Sequence, residues 1–108
     1  MNNCSLMGRL TKEPVKRQAG DKTVCNFTLA VQRPYTKDKT DFINCVAWGK
    51  TAEWIIQWFA KGSMLAVTGS VQTRTWEADG QKKYATEVVV EHGFFTGEKA
   101  KDDGGEPW

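Results

Sequence analysis

Apolar and polar residues alternate with a period of two through most of the chain, which marks strands that bury one face. Cys4, Leu6, Gly8 and Leu10 alternate with Ser5, Met7 and Arg9. The cleanest run sets Cys25, Phe27, Leu29 and Val31 against Asn26, Thr28, Ala30 and Gln32. Pro34 closes that strand, because proline has no N–H for a ladder. Asp41–Trp48 is a third strand, with Ile43, Cys45 and Ala47 on one side and Phe42, Asn44, Val46 and Trp48 on the other. Met64–Trp76 is a fourth, with Leu65, Val67, Gly69 and Val71 facing inward and Ser70, Gln72, Arg74 and Trp76 outward. Lys82–His92 is a fifth, with Tyr84, Thr86, Val88 and Val90 opposite Lys83, Ala85, Glu87, Val89 and Glu91. Asp79-Gly80 joins the last two as a hairpin turn.

One segment breaks this rhythm. Between Thr51 and Lys61 the apolar residues Ala52, Ile55, Ile56 and Phe59 fall at helical spacing. Thr51 is placed to cap the helix, Glu53 to favour its first turn, and Lys61-Gly62 to stop it. Three strands, a helix and a hairpin form the order of an all-β oligonucleotide-binding (OB) fold. That fold is a five-stranded Greek-key barrel with one helix between strands 3 and 4. An SH3-like barrel also has five strands but leaves no place for a three-turn helix.

At 108 residues the chain holds one core. It divides into a barrel over 1–97 and a short acidic tail over 98–108. The tail carries Lys99 and Lys101 against Glu98, Asp102, Asp103 and Glu106. Its net charge of −2 leaves +4 on the body, since the whole chain is +2. No apolar run is long enough for a membrane helix, and the first residues lack a secretory pattern, so a cytoplasmic protein is expected. Cys4, Cys25 and Cys45 lie in no paired motif and His92 is the only histidine. Neither a metal nor a cofactor is expected, and the thiols read as small buried apolar groups.

The sequence offers no catalytic constellation. The carboxylates Asp41, Glu53, Glu77, Glu87 and Glu91 are scattered over several elements, and no nucleophile has a base beside it. A nuclease on this fold would need clustered carboxylates for a metal, so an enzyme is not expected. The aromatics are more informative. Phe42 and Trp48 share the side of their strand opposite Ile43, Cys45 and Ala47, yet apolar groups occupy both sides, and parity divides them evenly between core and surface. Trp76 stands outside with Gln72 and Arg74, while Trp54 and Trp58, four apart on the helix, read as core or subunit contacts. Rings beside cations suit an unpaired nucleic acid strand, whose bases expose a π-face.

The sequence resembles the bacterial and phage single-stranded DNA-binding protein family. The resemblance runs through Leu6–Thr11 with Glu13-Pro14, Phe27–Val31, Asp41–Lys50, Ala52-Glu53, Lys61–Ser63, Gly69, Thr73–Trp76 and Tyr84–Val90. It implies a non-enzymatic protein that coats and protects single-stranded DNA, with little sequence preference, in replication, recombination and repair. The family's base-stacking rings match Tyr35, Phe42, Trp48 and Trp76, and its phosphate contacts match Lys50, Lys61 and Arg74, with Arg33 and Lys83 beside them. It implies a homo-oligomer, a tetramer or else a dimer, in which the first strand, near Asn3–Leu10, pairs with its copy. It also implies a partner-docking tip at Asp102, Asp103, Glu106, Pro107 and Trp108 for replication and repair proteins. Here the linker is short and the acidic run is split, unlike the family's long linker and unbroken tip. Two rivals remain on the same barrel: an RNA-binding protein or RNA chaperone, and a primosomal-type protein-interaction adaptor.

Overall fold

A computed structural model describes residues 1–98; the tip residues Asp102, Asp103, Glu106, Pro107 and Trp108 lie outside the described residues. In chain order the elements are β1 (Cys4–Leu10), β2 (Val15–Ala19), β3 (Lys22–Gln32), β4 (Thr40–Trp48), α1 (Gly49–Trp58), β5 (Met64–Ala78) and β6 (Gln81–Phe94). The strands run in the order β1-β5-β6-β4-β3-β2, and β1 also pairs with β3. That second pairing, Arg9 with Ala30 and Leu10 with Leu29, closes five strands into a ring. The ring's one parallel seam joins Cys45 to Val88 and Val46 to Val89 between β4 and β6. This is the expected five-stranded OB barrel, with β2 added outside the ring.

The interior follows from the alternation. Leu10, Phe27, Leu29, Cys45, Ala47, Leu65, Val67, Val88 and Val90 point inward and are buried. α1 closes one end of the barrel with Ala52 and Ile55, lying against β3 and β4. Burying such side chains stabilises the fold by about 1.5–3 kcal/mol for each large one.

The strand β2 has no such alternation, and the sequence reading missed it. All of Val15–Gln18 is exposed, so no apolar face announces it. It is held by ladder bonds to β3, from Val15–Asn26 to Ala19–Lys22, and by the turn at Gly20, whose φ is +66°. For the same reason β3 begins at Lys22 rather than at Cys25.

The helix also starts and ends earlier than expected. Trp48 is its N-cap residue with no side-chain cap, so Thr51 lies inside the first turn and caps nothing; no acid stands in that turn, and Glu53 comes later. Gly49, with φ at +63°, swings the chain directly from β4 into the helix. At the other end Phe59 leaves the helix in an extended conformation, and its N–H donates to the Ile55 carbonyl at 2.9 Å. Its ring is fully buried and packs against both Trp54 and Phe95, with centroids 4.9 and 5.5 Å away in the two ring pairs Trp54–Phe59 and Phe59–Phe95. Gly62 serves the return to β5 instead of stopping the helix, and its N–H donates to the Leu10 carbonyl at 2.8 Å.

The β5–β6 hairpin is longer than the barrel. β1 covers β5 only as far as Gly69, opposite Cys4. Beyond it the Asn2 amide bonds both backbone groups of Val71, at 2.8 and 2.9 Å, and extends the ladder by one step. Val71, assigned to the core by alternation, therefore keeps 42% of its surface. The turn at Asp79-Gly80 has both φ values positive, 53° and 75°, as a two-residue hairpin with a right-handed twist requires. Gly69 has a different role: a methyl group there would collide with the Val89 carbonyl, where β6 carries one extra residue opposite Thr68/Gly69.

Cys25 and Cys45 are buried, whereas Cys4 is only half-buried, which corrects the expectation of three buried thiols. Burial pushes the Cys25 thiol up to about 11 and the Cys45 thiol up to about 12. Both therefore stay protonated at neutral pH and are poor nucleophiles. Their raised values stabilise the fold below the ordinary thiol range, a contribution lost as pH rises toward 11–12. A thiol reagent at pH 8 is expected to label Cys4 in the folded protein and the other two only after unfolding. Rapid native labelling of a second thiol would contradict this packing.

Candidate nucleic-acid interface

The four candidate rings all stand on the outside of the barrel. Tyr35 is fully exposed, and Phe42, Trp48 and Trp76 keep 65%, 46% and 40% of their surface. Strand parity left Phe42 and Trp48 open; their exposure decides it. Both lie on the β4 face opposite the buried Cys45 and Ala47. Six residues at strand rise separate them by about 20 Å. Trp48 sits opposite Val24 in the β3–β4 ladder, and Val24 is buried outside the main core cluster.

Trp48 walls a groove of about 580 Å³ with Arg17, Asn26, Gln72, Arg74 and Glu87, over Val46 and Val89. An adjoining cleft of about 230 Å³ shares Asn26, Arg74 and Glu87 and adds Lys12, Glu13, Thr28 and Asn44. Arg17 donates Nε to the Asn26 Oδ1 at 2.8 Å and has no carboxylate partner among the described residues. Sequence reasoning missed Arg17 because β2 itself was missed. The Gly20-Asp21 pair between Arg17 and Lys22 was the available hint of a hairpin.

The predicted cations divide into two groups. Arg74 lies in the groove, with its guanidinium carbon 4.6 Å from the Trp76 ring centroid and its Nε 3.2 Å from Glu87 Oε1. Such a cation over an indole face is attractive. Lys83 pairs with Trp76 across the hairpin and shares its face. Lys50 is elsewhere, because the turn at Gly49 carries it to a separate cleft with Trp54, His92 and Gly93. Lys61 follows the helix, and its backbone N–H donates to Glu13 Oε2 at 2.9 Å. Arg33 stands at the far end, paired with Asp41 through Nε at 2.9 Å and Nη2 at 3.1 Å. The guanidinium holds the Asp41 carboxyl below the usual carboxylate range, so the pair persists at neutral pH and loosens only as pH falls through that lowered value.

Trp54 and Trp58 are partly buried against the core. Trp54 makes edge contacts with Phe59 and Phe95, both at 4.9 Å, and passes so close to Gly93 that a methyl there would strike its ring. These two indoles belong to the packing. Among the described residues no group of His, Cys, Asp and Glu side chains could hold a metal ion.

A closed OB barrel with Trp48, Arg17 and Arg74 lining one outer groove has the parts that proteins of the strand-stacking, nucleic-acid-binding class use. The family model described as "Single-strand binding protein family" matches residues 1–95, and the chain belongs to that family. It is 53% identical over 94 residues to a single-stranded DNA-binding protein of Clostridium perfringens, covering 84% of this chain and 63% of the relative. It is 45% identical over 97 residues to single-stranded DNA-binding protein 1 of Streptococcus pyogenes, covering 84% and 75%. With the single-stranded DNA-binding protein of Enterococcus faecalis the identity is 46% over 98 residues, covering 85% and 52%. The chain thus spans between about half and three quarters of the length of these relatives.

Proposed function

We propose that this chain binds single-stranded DNA with little sequence preference, coating and protecting it during replication, recombination and repair. The observation that carries the reading is the placement of Trp48 and Arg74 in one groove, with Trp76 and Lys83 beside it on the hairpin. Rings offer π-faces to any base, and the cations neutralise the backbone. In stacking binders, single-stranded DNA-binding proteins among them, each stacked base contributes roughly 1–3 kcal/mol. Affinity for the open strand alone pulls a duplex toward its separated form by mass action. The protein acts by binding and not by catalysis, and its work lies with the DNA of a cell's cytoplasm.

Copies associate through β1 in this reading, as a tetramer or a dimer. Among the described strands, β3 covers β1 only at Arg9 and Leu10, and Met7 on its outer face is exposed. An open edge of this kind is a template for another strand. The acidic tip docks replication and repair proteins.

Titration with oligo(dT) is expected to quench tryptophan emission, because stacked indoles lose fluorescence. The logarithm of the affinity should fall with the logarithm of salt with a slope of about −0.7 per phosphate neutralised. Poly(U) should compete poorly. Competition as strong as that of poly(dT) would overturn the DNA assignment, and absence of quenching would favour a protein-interaction adaptor.

A further inference from the structure

We propose that Arg33 and Asp41 form a clamp that presents the Tyr35 ring, so that Arg33 is a positioning residue and not a phosphate contact; this rests on the reading of Tyr35 as a stacking ring. The segment between β3 and β4 is framed by polar contacts. Arg33 places Nε and Nη2 on the two Asp41 oxygens, at 2.9 and 3.1 Å. Its backbone N–H donates to the Lys39 carbonyl at 3.1 Å, and the Lys39 N–H donates to the Thr36 carbonyl at 3.4 Å. Gln32 Nε2 donates to the Lys37 carbonyl at 3.2 Å.

Inside this frame Tyr35 adopts a φ of +69°, a left-handed conformation that side-chain-bearing residues seldom enter. Such a conformation persists only where its surroundings over-determine it. No burial holds the ring, which is fully exposed. The frame must therefore come from the polar contacts, and the fork between Arg33 and Asp41 is the one charge-assisted pair among them. The same fork weakens Arg33 as a phosphate ligand, since two of its donors are taken and a carboxylate stands beside it. Asp41 also directly precedes Phe42, so the clamp joins the root of the Tyr35 loop to the strand bearing the next ring.

The test uses the full chain, a labelled dT oligonucleotide read by anisotropy, and the variants Asp41→Ala, Asp38→Ala, Arg33→Lys, Tyr35→Ala and the double variant Asp41→Ala with Tyr35→Ala. Asp38 is a loop carboxylate with no ion pair among the described residues, so its removal reports the effect of charge alone. Asp38→Ala should leave the affinity unchanged or raise it. Asp41→Ala should lower it by about threefold or more, a fraction of the effect of losing a stacked base. Arg33→Lys keeps the charge but loses the fork, and should weaken binding to a similar degree. The double variant should bind no more weakly than Tyr35→Ala. Tighter binding by Asp41→Ala with a steeper salt slope, or additive losses in the double variant, would overturn the clamp and return Arg33 to the phosphate contacts.

A second readout needs no ligand. Backbone 15N heteronuclear NOE values at residues 35–39 should fall in Asp41→Ala and not in Asp38→Ala; unchanged values in both would also overturn the clamp. If the unmodified protein fails to bind the oligonucleotide, the functional reading fails, while the NOE comparison still decides whether the clamp exists.

Discussion

Replacing Trp48 and Trp76 together by alanine is expected to weaken oligo(dT) binding by about thirtyfold or more, since each lost stack costs roughly 1–3 kcal/mol. The fold should survive. Both indoles keep nearly half their surface, and neither belongs to the core cluster. Each truncation loses the packing of a half-buried indole, a smaller cost than emptying a fully buried site. The salt slope should stay within about one unit of the original, because rings neutralise no phosphate. Trp48→Phe and Trp76→Phe should recover most of the loss by restoring a π-face. Anisotropy of a labelled strand is the appropriate measurement, since the substitutions remove two of the five tryptophans. Affinity unchanged in the alanine pair would show that the groove beside Arg74 is not where a strand lies.

Phe59→Ala is expected to have the largest effect on stability, about 3–5 kcal/mol, the usual loss for truncating a buried phenylalanine. That is a large share of the roughly 5–15 kcal/mol that holds a small domain together. Phe59 is the fully buried member of a ring triad in which Trp54, Phe59 and Phe95 all touch one another. Removing it leaves a cavity where the helix end, the β6 exit and the barrel floor meet. Urea unfolding at fixed protein concentration should show a lower midpoint, and near-ultraviolet circular dichroism should lose the signal of the clustered rings. Phe59→Leu should cost much less, because it refills part of the space. A loss under about 1 kcal/mol would mean that this end of the barrel repacks freely.

The inward faces of the ring strands were legible because each is half-buried and alternates. Cys25–Val31 and Leu65–Val67 needed nothing more than parity. β2 was not legible, since a strand held by ladder bonds and polar side-chain contacts has no apolar period. The helix limits were misread because Phe59 fits the helical spacing yet leaves the helix to fill the core. Val71 was misread because parity says nothing about where the barrel rim falls. In the candidate site the rings were legible by type and position, but the state of the cations was not. That Arg33 faces Asp41 and Arg74 faces Glu87 depends on contacts eight and thirteen residues apart in sequence. Lys50 was displaced from the groove by one left-handed glycine, Gly49, whose φ no spacing rule supplies.

The hairpin that outruns the barrel has a mechanical consequence. Beyond Val71 it is two strands wide as far as its turn and rooted at one end, so it bends as a cantilever, with the displacement greatest toward the tip. Trp76 rides near that tip, whereas Trp48 is bolted to the wall of the closed cylinder. The gap between the two indoles is therefore elastic. A polymer lying over both would meet a sprung jaw, able to take up slack or kinks without disturbing the hydrophobic interior.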